Sequence, residues 1–166
     1  MQQIVWSETS IVGGKKVSIV LKKPELPVTL DWGSPKRRAT LYEDIAVMAV
    51  PAGKTIMLKE TVDLTGKMDE SGNLEWEAPQ GDWTICRIGY APTMADPHPL
   101  PDDIMGISYE VNKINAAQNK FHWETVLNPL KEHLGPYLGK SFKHILIDSY
   151  EARQQNWTEG FREEFI

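Results

Sequence analysis

Carboxylates, amides and aromatic side chains crowd the end of this 166-residue chain, directly behind a short apolar run. Ile145, Leu146 and Ile147 lead into Asp148, Ser149, Tyr150 and Glu151, and Gln154, Gln155, Asn156 and Trp157 follow. A carboxyl group moves protons or attacks an electrophilic carbon. Amides hydrogen-bond to hydroxyls, and an aromatic ring packs against an apolar, C–H-rich surface. A buried strand that ends in such residues is how an α/β barrel presents a sugar site at the carboxyl ends of its strands.

Cleavage of a glycosidic bond needs two carboxyl groups, one to protonate the leaving oxygen and one to activate water or attack. Glu151 is the first candidate, because it lies just past the apolar run, where burial can raise its pKa for acid work. Its alternative is a carboxylate that caps a loop or pairs with Arg153. Asp148 either meets a sugar hydroxyl or anchors the loop through backbone N–H groups, and the second reading is preferred. Tyr150 and Trp157 are candidate stacking rings, with Asn156 beside them as a polar contact. His98, in a proline-rich loop, either reaches substrate or is an ordinary surface histidine. The four histidines form no i,i+4 pair, which argues against zinc. The single cysteine, Cys86, sits in a strand-like run with no histidine near it in sequence, so a core position is favoured over a catalytic thiol.

The elements that must position these residues fall into two styles. Up to about residue 95 the pattern is β-rich, with runs at Ile4–Ile11, Lys16–Leu21, Tyr42–Val50, Thr55–Val62, Leu74–Glu77 and Trp83–Tyr90. Gly13-Gly14 reads as a hairpin turn between the first two, and Asp69 to Asn73 as a further turn. Lys23–Pro35, with three prolines, is a connection. These short strands suggest a sandwich-like sheet domain. Beyond Ala91, four prolines between residues 92 and 101 exclude a helix. Asn115 with Gln118 then forms a capping-box pattern, and Ala117, Phe121, Thr125, Leu127, Leu130 and Leu134 give a helical stripe. Pro129 should bend that helix or start a second one capped by Asn128. His144–Ile147 is the next expected strand, and Thr158 the cap of a last helix carrying Phe161 and Phe165. Strand 83–90, helix, strand and helix in that order follow the grammar of a parallel sheet or barrel.

Composition narrows the partners. Apolar (41%) and charged (25%) fractions are those of a globular domain. A net charge of −5 and a pI near 5.4 argue against a nucleic-acid partner. The basic cluster Lys36-Arg37-Arg38 reads as a solvated loop. No apolar run approaches the roughly 20 residues of a membrane span.

Several strings resemble one group of enzymes. They are Asp63-Leu64-Thr65, Gly72/Leu74/Trp76, Pro79/Gly81/Trp83 and Gly89-Tyr90 within Asp63–Tyr90, with Met1–Thr9, Gly14 to Val17 and Tyr42 to Val47 before them. His98-Pro99, Tyr109 to Lys113, LIDSYE, Gln155 to Thr158 and FREEF follow. Together, and in this order, they are similar to the α-L-rhamnosidase-like glycoside hydrolases, glycoside hydrolase family 106 and relatives. The resemblance implies Glu110 as a second candidate carboxylate, after the preceding barrel strand; a solvated loop Glu is its alternative. It also implies calcium in the parent enzyme, although no Asp-rich calcium loop is visible. Asn112 stands where an acidic residue is expected, weakening a polar contact or cation site, and Tyr150 stands where Trp is usual.

The expected fold is therefore α+β: a β-sandwich-like inserted domain over 1–82, then about two β-α units of an incomplete (β/α) barrel over 83–166. The expected function is that of a fragment of a secreted or periplasmic glycoside hydrolase that acts on oligosaccharide or polysaccharide and releases α-L-rhamnose. The isolated piece is expected to be inactive and prone to self-association through open barrel edges. The rivals are a non-catalytic carbohydrate-binding sandwich, with Trp157 or an exposed sheet Trp as its platform, and a spacer domain without a ligand.

Overall fold

The computed structural model describes residues 1–29, 37–95, 110–146 and 154–165. The chain divides into two compact units. One comprises Ile4–Pro27 and Arg38–Pro92, the other Met1–Gln3, Val28–Arg37 and Thr93–Ile166.

The first unit is built of strands: β1 (Gln2–Val12, whose first residues group with the second unit), β2 (Lys15–Val20), β3 (Glu43–Pro51), β4 (Val62–Asp63), β5 (Asn73–Ala78) and β6 (Asp82–Pro92). They form a four-stranded sheet in the order β1-β6-β3-β4 and a two-stranded sheet of β2 and β5. Strand β5 shows why the pattern was readable: Leu74, Trp76 and Ala78 are buried while Asn73, Glu75 and Glu77 face solvent. Its partner in register puts Val17 opposite Trp76 and Ile19 opposite Leu74. These residues join Val47, Ala49, Trp83 and Ile85 of β3 and β6 in one apolar cluster, so both sheets contribute to a single core. Trp76 and Trp83 meet edge to face, 5.2 Å between centroids, and the Trp83 indole donates to Pro79 O at 3.0 Å. Trp6 stands outside this core at 60% exposure, and Trp123 of the second unit is 55% exposed.

Gly13-Gly14 is not a hairpin turn, because β1 and β2 belong to different sheets. The pair instead lies against the turn between β5 and β6. Gly13 N–H donates to Gly81 O (2.7 Å) and Gly14 N–H to Ala78 O (2.8 Å). A Cβ on Gly13 would sit 1.9 Å from Pro79 O, so close backbone approach explains this glycine. The Thr55–Val62 strand is also corrected. Only Val62–Asp63 pairs with β3, and Leu58–Glu60 is a 3-10 turn. The Glu60 carboxylate accepts from Met57 N (2.9 Å) and pairs with Lys54, which fits a loop rather than a ladder. The turn at Asp69 forms as expected, its carboxylate accepting from the N–H of Ser71 and Asn73 at 2.9 and 2.8 Å.

One charged residue points into the core series of β6. Arg87 is 2% exposed, between Ile85 and Gly89 on the inward face. A bulge in β3 answers it. The register shifts between Asp44 and Ala46, so Asp44 pairs with Gly89 on the face that carries Val47. Arg87 then donates to both Asp44 oxygens (2.8 and 2.7 Å) and to Leu21 O (2.7 Å). Gly72, at φ +87°, leaves room for this: a Cβ there would come within 2.7 Å of Arg87 Nη1.

The second unit holds helix α1 (Ala116–Leu134), a 3-10 turn at Gly135–Tyr137 and the short α2 (Phe161–Phe165). Asn115 caps α1 as expected, its side chain accepting from Gln118 N at 3.0 Å. Gln118, however, accepts from Asn112 N (3.4 Å), three residues before the capping-box partner. Asn115→Ala should destabilise α1 by about 1 kcal/mol. Faster hydrogen exchange confined to its first turn is the readout. Pro129 starts no new helix, since α1 runs through it. No residue of α1 is buried, and Trp123, Val126, Leu127, Leu130 and Leu134 form an i, i+3, i+4, i+7, i+11 stripe. The expected strand at His144–Ile147 is not seen in its described part, His144 to Leu146. Ile145 and Leu146 are 51% and 89% exposed, with no described strand beside them to take up their backbone groups.

Candidate functional site

His98, Asp148, Tyr150 and Glu151 lie outside the described residues. Glu110, Asn156 and Trp157 are described, and all belong to the second unit. The structure brings their two segments together through a residue that sequence reasoning had read as a weakened contact, Asn112.

Asn112 is 4% exposed. Its Nδ2 donates to Thr158 Oγ1 at 2.9 Å, and its Oδ1 accepts a short hydrogen bond from Gln155 Nε2. Its backbone is tied to the start of α1: Asn112 O accepts from Asn115 N (3.0 Å) and from Asn119 Nδ2 (3.4 Å). Asn119 Nδ2 also donates to Lys113 O (2.7 Å) and Asn115 O (3.0 Å). Glu110, two residues upstream, is half-buried and lies 3.8 Å from the Lys113 ammonium. The 110–115 segment is therefore a knot of polar contacts with a carboxylate at its edge.

On the other side, Asn156 and Trp157 are held through their backbones. Both N–H groups approach Gln2 O at 3.3 Å. Asn156 is exposed and Trp157 half-buried, its indole edge to face with Phe161 at 5.6 Å and 69°. Thr158 was expected to cap the last helix; its hydroxyl instead accepts from Asn112, while its carbonyl accepts from Phe161 N (3.2 Å). Asn112, Gln155 and Thr158 are the residues that sequence reasoning missed as a group. They lie 43 and 46 positions apart, beyond any local period, and polarity in an otherwise loop-like stretch was their one signal.

Other chemistry finds less support. Cys86 is half-buried rather than in the core, on the sheet face opposite Trp83, Ile85 and Arg87. Burial pushes its thiol pKa up and the nearby Glu8 carboxylate adds to this, the reverse of what a thiolate nucleophile needs. Calcium takes about six to eight oxygen ligands. Among the described residues no three His, Cys, Asp or Glu side chains gather as such a site requires. The described residues therefore do not fit the ion. Among the described residues, no helix is long and apolar enough to cross a membrane.

Residues 36–166 match the family model of glycoside hydrolase family 106, described as alpha-L-rhamnosidase. A protein of Formosa agariphila described as "Putative beta-glucuronidase" is 32% identical over 197 aligned positions, which take in 99% of this chain. The chain spans 16% of that relative's length. No solved structure matches. The family match takes in the carboxylate-edged knot, the Asn156–Trp157 pair and most of the sheet unit, and the chain belongs to glycoside hydrolase family 106.

Proposed function

We propose that the parent protein is a secreted or periplasmic glycoside hydrolase that releases α-L-rhamnose from complex oligosaccharide or polysaccharide. The observation that carries this reading is the joining of the Glu110 segment to the Asn156–Trp157 segment through one buried amide. That arrangement sets a carboxylate and an aromatic–amide pair in a single unit, the parts a sugar site requires. In this reading Glu151 protonates the leaving oxygen and Glu110 activates the attacking water. Trp157 and Tyr150 stack on the pyranose, and Asn156, Asp148 and His98 meet its hydroxyls. Calcium, if the parent enzyme uses it, is held by residues other than those described. The open apolar stripe of α1 supports the further reading that these residues form one part of a larger barrel, next to a β-sandwich-like insertion, or self-associate when alone.

The test is to offer the full-length parent protein an aryl α-L-rhamnoside and an aryl β-D-glucuronide. Rhamnoside cleavage is expected. Turnover of the glucuronide alone would overturn the rhamnose reading and follow the description of the Formosa agariphila relative instead.

A second reading has one observation in its favour. Trp6 stands out from β1 at 60% exposure, with its indole N–H fixed to Glu8 Oε1 at 3.1 Å. An immobilised exposed ring on a sheet is the platform of a carbohydrate-binding module. Oligosaccharide binding that is lost on Trp6→Ala, in a parent protein without hydrolytic activity, would favour that module over the enzyme.

A further inference from the structure

We propose that Asn112 is a positioning residue for sugar binding, acting through the two residues that bracket Asn156 and Trp157. The inference rests on reading Asn156–Trp157 as sugar contacts. One carboxamide does two opposite things at once: it donates to Thr158 Oγ1 (2.9 Å) and accepts from Gln155 Nε2. Gln155 and Thr158 are the immediate neighbours of the Asn156–Trp157 pair, so the amide grips it from both ends.

The grip is stiff for three reasons. At 4% exposure Asn112 is shielded from competing water, so its two side-chain hydrogen bonds are made where the local dielectric is low and rearrangement is opposed. Its own backbone is anchored at the start of α1 through Asn115, Gln118 and Asn119. The clamped pair is also held from the backbone side by Gln2 O, and its indole rests against Phe161. A ring fixed in this way spends little conformational freedom on stacking, which is where preorganisation gains affinity. The chemistry also accounts for the residue type. An aspartate at 112 has no donor for Thr158 Oγ1 and would place a charge where solvent hardly reaches. Leucine fills similar space and makes neither bond.

The experiment is a double-mutant cycle in the full-length parent enzyme, using whichever of the two aryl glycosides it cleaves. Trp157→Ala should raise KM about tenfold, the value of one lost stacking contact. Asn112→Leu should raise KM severalfold with kcat changed far less. In the Trp157→Ala background Asn112→Leu should add less than it does alone, because the ring it positions has gone and only Asn156 is left to displace. Thr158→Val should reproduce part of the KM effect, and Thr158→Ser, which keeps the hydroxyl, should restore the native KM. The Thr158 pair decides the matter even if Asn112→Leu fails to fold. An unchanged KM in Asn112→Leu or Thr158→Val, or full additivity in the cycle, overturns the positioning role. An unchanged KM in Trp157→Ala itself overturns the sugar-contact reading, and this inference with it.

Discussion

Arg87→Met should destabilise the sheet unit by about 3 kcal/mol, lowering the Tm of the 166-residue chain by more than about 10 °C. The guanidinium is all but buried, while Asp44 keeps a third of its side chain exposed. Water can therefore compensate Asp44 in part, which holds the figure at the low end for a broken buried pair. It cannot compensate Leu21 O so easily, which accepts from Arg87 at 2.7 Å. Methionine fills the volume but satisfies neither acceptor. Lysine should do little better, since one ammonium cannot span both Asp44 oxygens and the carbonyl as the planar fork does. The exposed pair Lys16–Glu75, at 2.7 Å, supplies the control: Lys16→Gln should leave Tm unchanged within error. A fall of less than about 3 °C for Arg87→Met would show that the pair contributes little beyond its own desolvation.

The same pair predicts a pH dependence. The Arg87 guanidinium hydrogen-bonded to Asp44 holds its carboxyl below the usual aspartate value of 3.8, against an opposing effect of burial. A carboxylate depressed in the folded state contributes stability above its unfolded pKa, and that stability is lost as pH falls through the folded value. Native Tm should therefore fall as pH drops below 3.8. Arg87→Met should show a shallower acid limb, because the shift it would lose has been removed in advance.

Glu151→Gln in the full-length parent should lower kcat by about 10²- to 10⁴-fold. Glutamine keeps the size and the hydrogen-bonding reach of the side chain but has no proton to give. The leaving group separates acid from base. If Glu151 protonates the departing oxygen, the loss should be small for a nitrophenyl glycoside, whose leaving group needs little help, and large for an alkyl glycoside. Glu110→Gln, as the partner that activates water, should lose similar factors on both substrates. Equal losses for Glu151→Gln would reassign it to the attacking side. Retained activity on both substrates would remove it from the machinery.

The contrast between what was legible and what was not follows sequence distance. The alternation in β5, the Asx turn at Asp69 and the Asn115 cap were all readable, because each depends on residues within about four positions of one another. Glu110 and the Asn156–Trp157 pair were picked out by residue type and by resemblance, and the family match agrees with that resemblance. The hairpin at Gly13-Gly14 was misread because an isolated glycine pair between two β patterns has the same local signature whether the strands pair or part. Here β1 lies beside β6 and β2 beside β5, partners more than 50 residues away. The expected strand at His144–Ile147 is described only from His144 to Leu146, where no described strand lies beside it. An apolar run says that a strand is possible, but a strand exists only when a neighbour takes up its backbone groups.

By itself, then, the sequence determined the β-rich character of the first 92 residues, the start and cap of α1, the chemical types available to a sugar site and the family. Tertiary structure decided which strands share a sheet and that a single extra residue in β3 turns Asp44 inward to meet Arg87. A period-two count places Asp44 on the opposite face from Val47, and only the bulge reverses it. Tertiary structure also decided that Asn112, read in isolation as a weakened contact, is buried and bonded through both ends of its amide to Gln155 and Thr158. A buried amide is worth what its partners make of it, and those partners are set by the fold rather than by neighbours in the chain.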